Sequence, residues 1–112
     1  MVEIAEITKQ LYTYLRQAYD NVFPIVATEG ATLPFIVFER SNAYDTGTKD
    51  GNQLEVAFNI RVVSATYFDG LTLVDKIRRR LRKCELKPTL TGASEEYTSD
   101  GYVQTLSFTF QN

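Results

Sequence analysis

The alternation of apolar and polar residues identifies a long strand near the middle of the chain. From Leu54 to Val63 every even position is large and apolar, whereas Glu55, Asn59 and Arg61 occupy odd positions. Successive side chains of a strand point to opposite faces, so this period of two predicts a strand with one apolar face on a core. The other elements are expected to complete a layer against that face.

A helix is predicted directly after this strand. Its apolar residues recur at helical spacing, and most positions between them are Lys or Arg; the apolar residues are Leu73, Val74, Ile77 and Leu81. Thr66 and Asp69 suit a helix start, because a hydroxyl accepts from free N–H groups and a carboxylate is favoured at the positive end. We therefore predict a helix over Leu71–Arg82 whose start lies near Thr66.

The N-terminal region predicts a second amphipathic helix, over residues 3–20. One stripe of this helix is apolar and consists of Ile4, Ile7, Leu11, Leu15 and Ala18. Pro24 favours an end to the helix just before it, because the residue preceding a proline is pushed out of the helical region. A short strand is predicted at 25–27 and a longer one at 35–41.

The rest of the chain predicts two hairpins. Residues 42–52 are polar, with two glycines, and predict a loop longer than a tight turn needs. Residues 86–92 form a connector broken by Pro88, and strands at 95–98 and 102–110 then flank a Ser-Asp-Gly turn.

These elements predict an α+β fold. The arrangement that satisfies all the patterns has two layers: a mostly antiparallel sheet of four to five strands, with both helices packed on one face. The opposite face is polar, and is expected to be wet or to meet a partner; it carries Glu55, Asn59, Arg61, Thr105, Ser107 and Thr109.

Composition narrows the classes of function. A length of 112 residues fits one domain spanning 1–112, and a net charge of −2 gives no global attraction to nucleic acid or to an anionic membrane. No apolar run is long enough to span a bilayer. The chain has one cysteine and no histidine, the commonest general base and metal ligand. We therefore predict no catalytic site, no metal site and no cofactor.

The most prominent charged feature is the second predicted helix. Six of the twelve Lys and Arg residues lie between Lys76 and Lys83, and Lys76, Arg79 and Lys83 fall on one stripe. One interpretation is a solvated helix whose cations suit its negative C-terminal end. The other is contact with an acidic protein surface or with nucleic acid. Sequence alone leaves both open.

Other side chains are interpreted as structural. Phe58, Phe108 and Phe110 share faces with aliphatic residues, so we predict that they belong to the core rather than to a base-stacking surface. Cys84 continues the apolar stripe of the second helix and is predicted to be a buried thiol. The acidic residues are too scattered to suggest a metal site.

The order of elements resembles the tail completion, or tail terminator, proteins of long-tailed bacteriophages and prophages. The resemblance is carried by the strand entry Leu33-Pro34-Phe35-Ile36-Val37-Phe38, the Val56–Val62 strand, the junction Ser64–Asp69, the helix Leu71–Arg82 and the closing Ser107-Phe108-Thr109-Phe110.

This resemblance implies a structural, non-enzymatic subunit of the virion tail, made in the host cytoplasm. Such subunits form a ring, typically a hexamer, that stops the tail tube from polymerising and joins it to the head connector. The implied partners are other copies of the chain, the tube protein and the connector, with possible DNA contact in the channel and no membrane. From their exposure patterns, the residues expected to contact partners are Tyr44, Asp45, Lys49, Asp50, Glu55, Arg61, Lys76, Arg79 and Lys83.

Overall fold

A computed structural model describes residues 3–45 and 54–111. Seven elements follow one another along these residues: α1 Ile4–Ala18, β1 Val22–Pro24, β2 Phe35–Asp45, β3 Leu54–Ser64, α2 Tyr67–Leu81, β4 Thr89–Thr98 and β5 Gly101–Gln111.

The five strands form one sheet in the order β1-β2-β3-β5-β4. The pairs β2–β3, β3–β5 and β5–β4 are antiparallel, and only the short β1 pairs in parallel, with β2. The predicted α+β class with a mostly antiparallel sheet is therefore confirmed. β3 lies at the centre, as its strict alternation predicts.

Both helices pack on the same face of the sheet. Ile7, Leu11 and Leu15 of α1 join Leu73 and Ile77 of α2 in one core cluster with the inward residues of the strands. The three phenylalanines predicted to belong to the core are fully buried or nearly so, which confirms the prediction. They are Phe58, Phe108 and Phe110. The core therefore lies between one helical layer and one sheet.

The start of α2 follows the predicted capping chemistry. Thr66 is the residue before the first helical turn, and its hydroxyl accepts a hydrogen bond from the backbone N–H of Asp69 at 3.3 Å. Gly70 lets this turn approach the end of β3, because a Cβ there would lie 2.7 Å from the Oγ of Ser64. α2 therefore follows β3 after only two residues and folds back onto the sheet.

Three predicted boundaries are wrong. The strand expected at 25–27 is Val22–Pro24 instead, because Ile25 has a left-handed φ of 67° that ends the extended backbone. Residues 42–45, expected in a loop, continue β2 beyond an irregularity in its pairing with β3. Residues 89–92, expected in a connector, already pair with β5.

One end of the outer sheet face is covered. Val37, Val63 and Val103 point away from the helices yet are at most 7% exposed. Residues 25–31 adjoin them and line a common pocket with them. The near-continuous apolar pattern at the start of β2 therefore reflects cover on both faces. Within the described part of the chain, neither helix is long and apolar enough to cross a bilayer.

Candidate functional site

The second half of α2 and the two residues that follow it carry a dense group of exposed cations, here called the cationic cluster. It consists of Lys76, Arg78, Arg79, Arg80, Arg82 and Lys83, and every member is exposed. Among residues 3–45 and 54–111, the only ion pair joins Arg61 to Glu39, so no member of the cluster is paired with a carboxylate there. The charge of the cluster is therefore available to a partner.

The cluster presents two sides. Lys76, Arg79 and Lys83, predicted as one stripe, line a groove of about 520 Å³ with Gln17 and Ala18 of α1. Arg80 and Arg82 also border this groove. The predicted stripe is therefore brought together on the side of α2 that faces α1. Because α1 contributes no acidic residue to this groove, its charge is uniformly positive.

On the other side of α2, arginine lies beside apolar surface. Arg78 and Arg82 border a smaller pocket lined by Pro88, Leu90 and Phe108. Leu90 is 37% exposed, an unusual value for a large apolar side chain on a strand. This side of α2 faces β4.

The opposite end of α2 carries a second surface, here called the tyrosine patch. It consists of Tyr67, Phe68, Glu95, Tyr97 and Tyr102. The ring centroids of Tyr97 and Tyr102 are 4.8 Å apart, and those of Tyr67 and Tyr102 are 5.9 Å apart. Phe68 and Tyr97 are 75% and 72% exposed. Such exposed aromatic groups with a polar handle are typical of binding surfaces.

Glu95 holds the tyrosine patch together. Its carboxylate accepts hydrogen bonds from the hydroxyl of Tyr67 at 3.1 Å and from the side-chain amide of Gln104 at 3.0 Å. The bond to Glu95 raises the pKa of Tyr67, because loss of the phenolic proton would remove a donor and place two negative charges together. The bond ties α2 to β4 and fixes one tyrosine against the carboxylate.

The predicted residues on β2 and β3 bond to side chains of neighbouring strands. Tyr44 donates a hydrogen bond of 2.7 Å to Glu55, which also accepts from Gln111 at 3.3 Å. The bond to Glu55 raises the pKa of Tyr44. Arg61 is paired with Glu39. These side chains link neighbouring strands of the sheet, and none of them lines the pockets that the cationic cluster borders.

The predicted contact residues are thus divided among separate surfaces. Tyr44 and Asp45 are exposed at the end of β2, whereas Glu55 and Arg61 are half-buried on β3. Lys49 and Asp50 lie outside the described residues. The structure brings together Lys76, Arg79 and Lys83, and separately joins Tyr44 to Glu55.

Sequence reasoning missed the tyrosine patch. Tyr97 and Tyr102 are directly opposite each other in the β4–β5 pairing. In the structure the hairpin turn is Ser99-Asp100, and Tyr97 and Tyr102 each lie two residues from it. The predicted turn included Gly101 and so did not place the two tyrosines opposite each other. The contribution of Tyr67 had no sequence signal, since it depends on how α2 lies across the sheet.

Outside these two surfaces, we looked for metal-binding groups and for a reactive thiol. In the ranges 3–45 and 54–111, no group of three or more His, Cys, Asp or Glu side chains is arranged to hold a metal ion. Cys84 is buried, as predicted, and its thiol lies 3.7 Å from the side-chain oxygen of Gln10. The two surfaces at the ends of α2 are therefore the candidate functional sites, and both have the chemistry of binding.

Comparison of the chain with protein-family models and with curated proteins gives no match.

Proposed function

We propose that this protein is a structural subunit of a bacteriophage or prophage tail, of the completion or terminator type. In this role several copies form a ring on the end of the tail tube, stop its polymerisation and join it to the head. The proposal starts from the resemblance in element order. It is supported by the presence of two different binding surfaces on one small domain.

The observation that carries the proposal is the pairing of the exposed cationic cluster with the exposed tyrosine patch at opposite ends of α2. A ring closed by rotation needs two unlike surfaces on each subunit, which meet head to tail. A subunit with a single self-complementary surface would stop at a dimer. This chain offers the two unlike surfaces that a ring requires.

A second feature supports the proposal. β4 is an edge strand of ten residues, nine of them exposed. Exposed edge strands present backbone groups that can pair with another chain. Together with Tyr44 and Asp45 at the exposed end of β2, this edge leaves surface for the tube protein and the head connector.

The proposal is tested by growing tail tubes in its presence. The tube protein encoded in the same gene cluster is polymerised with and without the purified chain, and tube lengths are measured by negative-stain electron microscopy. We expect shorter tubes with extra density at one end. An unchanged length distribution, with no chain on the tubes, would contradict the proposal.

A variant series locates the tube contact. Tyr44→Ala with Asp45→Ala removes exposed side chains at the end of β2, whereas Lys9→Ala with Thr13→Ala removes exposed side chains from α1. We expect the first pair to weaken the arrest of tube growth and the second to leave it unchanged. Equal effects of both pairs would show that the end of β2 is not the contact.

A second candidate function is non-specific binding of nucleic acid. It is favoured by the groove that Lys76, Arg79 and Lys83 line, since no acidic residue is among the residues lining it. Phosphate contacts of this kind make the affinity fall as salt rises, by a log–log slope of about 0.9 per phosphate contacted on duplex DNA.

This candidate is tested by fluorescence anisotropy with a generic DNA duplex over a range of salt concentrations. If each of the three residues contacts a phosphate, replacing all three with Gln lowers the slope by about 2.7. Replacement of Lys9, Arg16 and Arg40, which lie elsewhere on the surface, is the matched control. Absence of binding at low ionic strength would dismiss the candidate.

A further inference from the structure

The two ends of α2 have opposite chemistry. Tyr67 and Phe68 begin the helix within the tyrosine patch, and the cationic cluster occupies the end of the helix and the two residues after it. At 1.5 Å per residue, Tyr67 and Arg80 are separated by about 20 Å along the axis. The two surfaces therefore lie too far apart to meet within one copy, yet they lie on the same helical layer.

The tyrosine patch suits a guanidinium group. Arginine stacks on aromatic rings through its planar face and binds carboxylates through its N–H groups. The patch offers both, because the rings of Tyr97 and Tyr102 lie beside the carboxylate of Glu95 in a pocket of about 210 Å³.

The chain supplies the matching group. Four of the six members of the cationic cluster are arginines. Outside the cluster, the chain has six Lys and Arg against 14 Asp and Glu, a balance of −8. The molecule is thus strongly polarised, with its cations collected at one end of α2, and copies attract one another best when unlike ends meet.

We infer that the arginines of the cationic cluster of one copy, chiefly Arg78 and Arg82, bind the tyrosine patch of a second copy. Arg78 and Arg82 are favoured because both border the pocket that contains the exposed apolar Leu90 of β4, the strand that also carries Glu95 and Tyr97. This contact specifies the surfaces that meet in the proposed ring, and in that respect it rests on the proposed function.

A second copy explains the patch better than a nucleic acid does. Phosphate groups would be repelled by Glu95, so a polyanion accounts for the cluster but leaves the patch without a ligand. A second copy accounts for both surfaces in one contact. Because the two surfaces differ, each contact leaves one cluster and one patch free, and further copies can add.

The inference is tested by sedimentation velocity of the purified chain at low ionic strength. We expect association that increases with protein concentration and weakens with added salt, since exposed charges are screened. Arg78→Gln with Arg82→Gln removes one side of the contact. Tyr97→Ala with Glu95→Gln removes the other, and each pair is expected to weaken association at least about tenfold.

Mixing the two variants separates this contact from other modes of association. Each variant retains one intact surface, so an equal mixture is expected to form dimers and nothing larger. Lys9→Gln with Arg40→Gln, and Thr13→Ala, are the matched controls, because they remove two exposed cations and one exposed hydroxyl from elsewhere. These controls are expected to associate as the unmodified chain does.

Several results would overturn the inference. These are a chain that stays monomeric at low ionic strength and high concentration, a mixture of the variants that does not associate, or variants that associate like the controls. A monomeric chain whose cluster binds duplex DNA would favour the nucleic-acid function instead.

The proposed function fails separately, on tube length. A chain that associates through these surfaces without arresting tube growth would refute the tail assignment and leave this contact standing. Arrest of tube growth that survives both paired variants would refute the contact and leave the assignment standing.

Discussion

β3 and β4 both pair with β5 in antiparallel fashion, yet they differ in almost every physical respect. The inward side chains of β3 are fully buried or nearly so, including Phe58 at 1% exposure. The inward side chains of β4 remain in solvent, including Tyr97 at 72% exposure. The two strands share β5 as a neighbour and have similar lengths, but β3 also pairs with β2, whereas β4 is the edge strand.

The difference comes from the helical layer. α2 packs over β3 and β5, whereas β4 lies beyond it at the edge of the sheet. Residues under the helices are constrained to be apolar and closely packed, because every methylene there contributes to stability. Residues beyond the helices are free of that constraint. The division teaches that β3 serves stability and β4 is available for binding.

The largest expected effect is on β3. Phe58→Ala is expected to lower the free energy of unfolding by roughly 3–5 kcal/mol, since it leaves a cavity in the core. Tyr97→Ala on β4 is the control and is expected to cost less than about 1 kcal/mol. Urea unfolding measures both. Equal losses would show that β4 is as important to stability as β3 and would break the comparison.

The next largest effect is expected at Gly101, where the β4–β5 hairpin packs against the end of β3. Gly101 has a φ of 135°, and a Cβ there would lie 2.5 Å from the carbonyl oxygen of Ser64. Gly101→Ala is therefore expected to cost about 1–3 kcal/mol or more. Gly92→Ala, in β4, is the control, because a Cβ at Gly92 meets nothing within 4 Å. Thermal unfolding measures both variants, and equal melting temperatures for Gly101→Ala and Gly92→Ala would contradict the prediction.

A smaller effect concerns α2, the helix that lies between β3 and β4 along the chain. Thr66→Ala removes the side-chain acceptor for the N–H of Asp69 and is expected to cost about 1 kcal/mol. Thr72 lies within α2, is exposed, and donates to the backbone oxygen of Phe68. Thr72→Ala is expected to be neutral or slightly stabilising, since Ala favours the helix. A comparable loss in both variants would argue against a capping role for Thr66.

The smallest effect concerns the hydrogen bond between α2 and β4. The pKa of Tyr67 is raised above its ordinary value of 10.0 because its hydroxyl donates to Glu95. A raised pKa in the folded state contributes stability below the ordinary pKa, which is lost as pH rises through the raised value. We therefore expect a small loss of stability above about pH 10 that Tyr67→Phe removes.

Ultraviolet titration of tyrosinate checks this prediction. Glu95→Gln is expected to return Tyr67 toward the ordinary pKa, because the carboxylate that opposes its ionisation is gone. Tyr44→Phe is the control. The pKa of Tyr44 is raised by Glu55, and Tyr44 does not touch β4, so this variant is expected to leave the titration of Tyr67 unchanged. If Glu95→Gln left the titration unchanged, the bond between Tyr67 and Glu95 would not be the cause.

The sequence by itself determined the elements whose side-chain period is strong. The alternation from Leu54 to Val63 specified β3 and its buried face, and the 3.6-residue spacing of Leu73, Ile77 and Leu81 specified α2. Thr66 marked the helix start because capping is a local interaction. The α+β class followed, since one apolar sheet face and two amphipathic helices bury each other in only a few ways.

Only the tertiary structure decided what lies beside what. The pairing of β1 with β2, the strand order and the exposure of β4 depend on where the helices lie across the sheet. The cationic stripe on α2 was predictable from the sequence, because it depends only on the spacing of residues within one helix. The tyrosine patch joins Tyr67 to Tyr97 and Glu95 from a different element, so no local period encodes it. Contacts between distant segments are set by packing, and packing exists only in the folded chain.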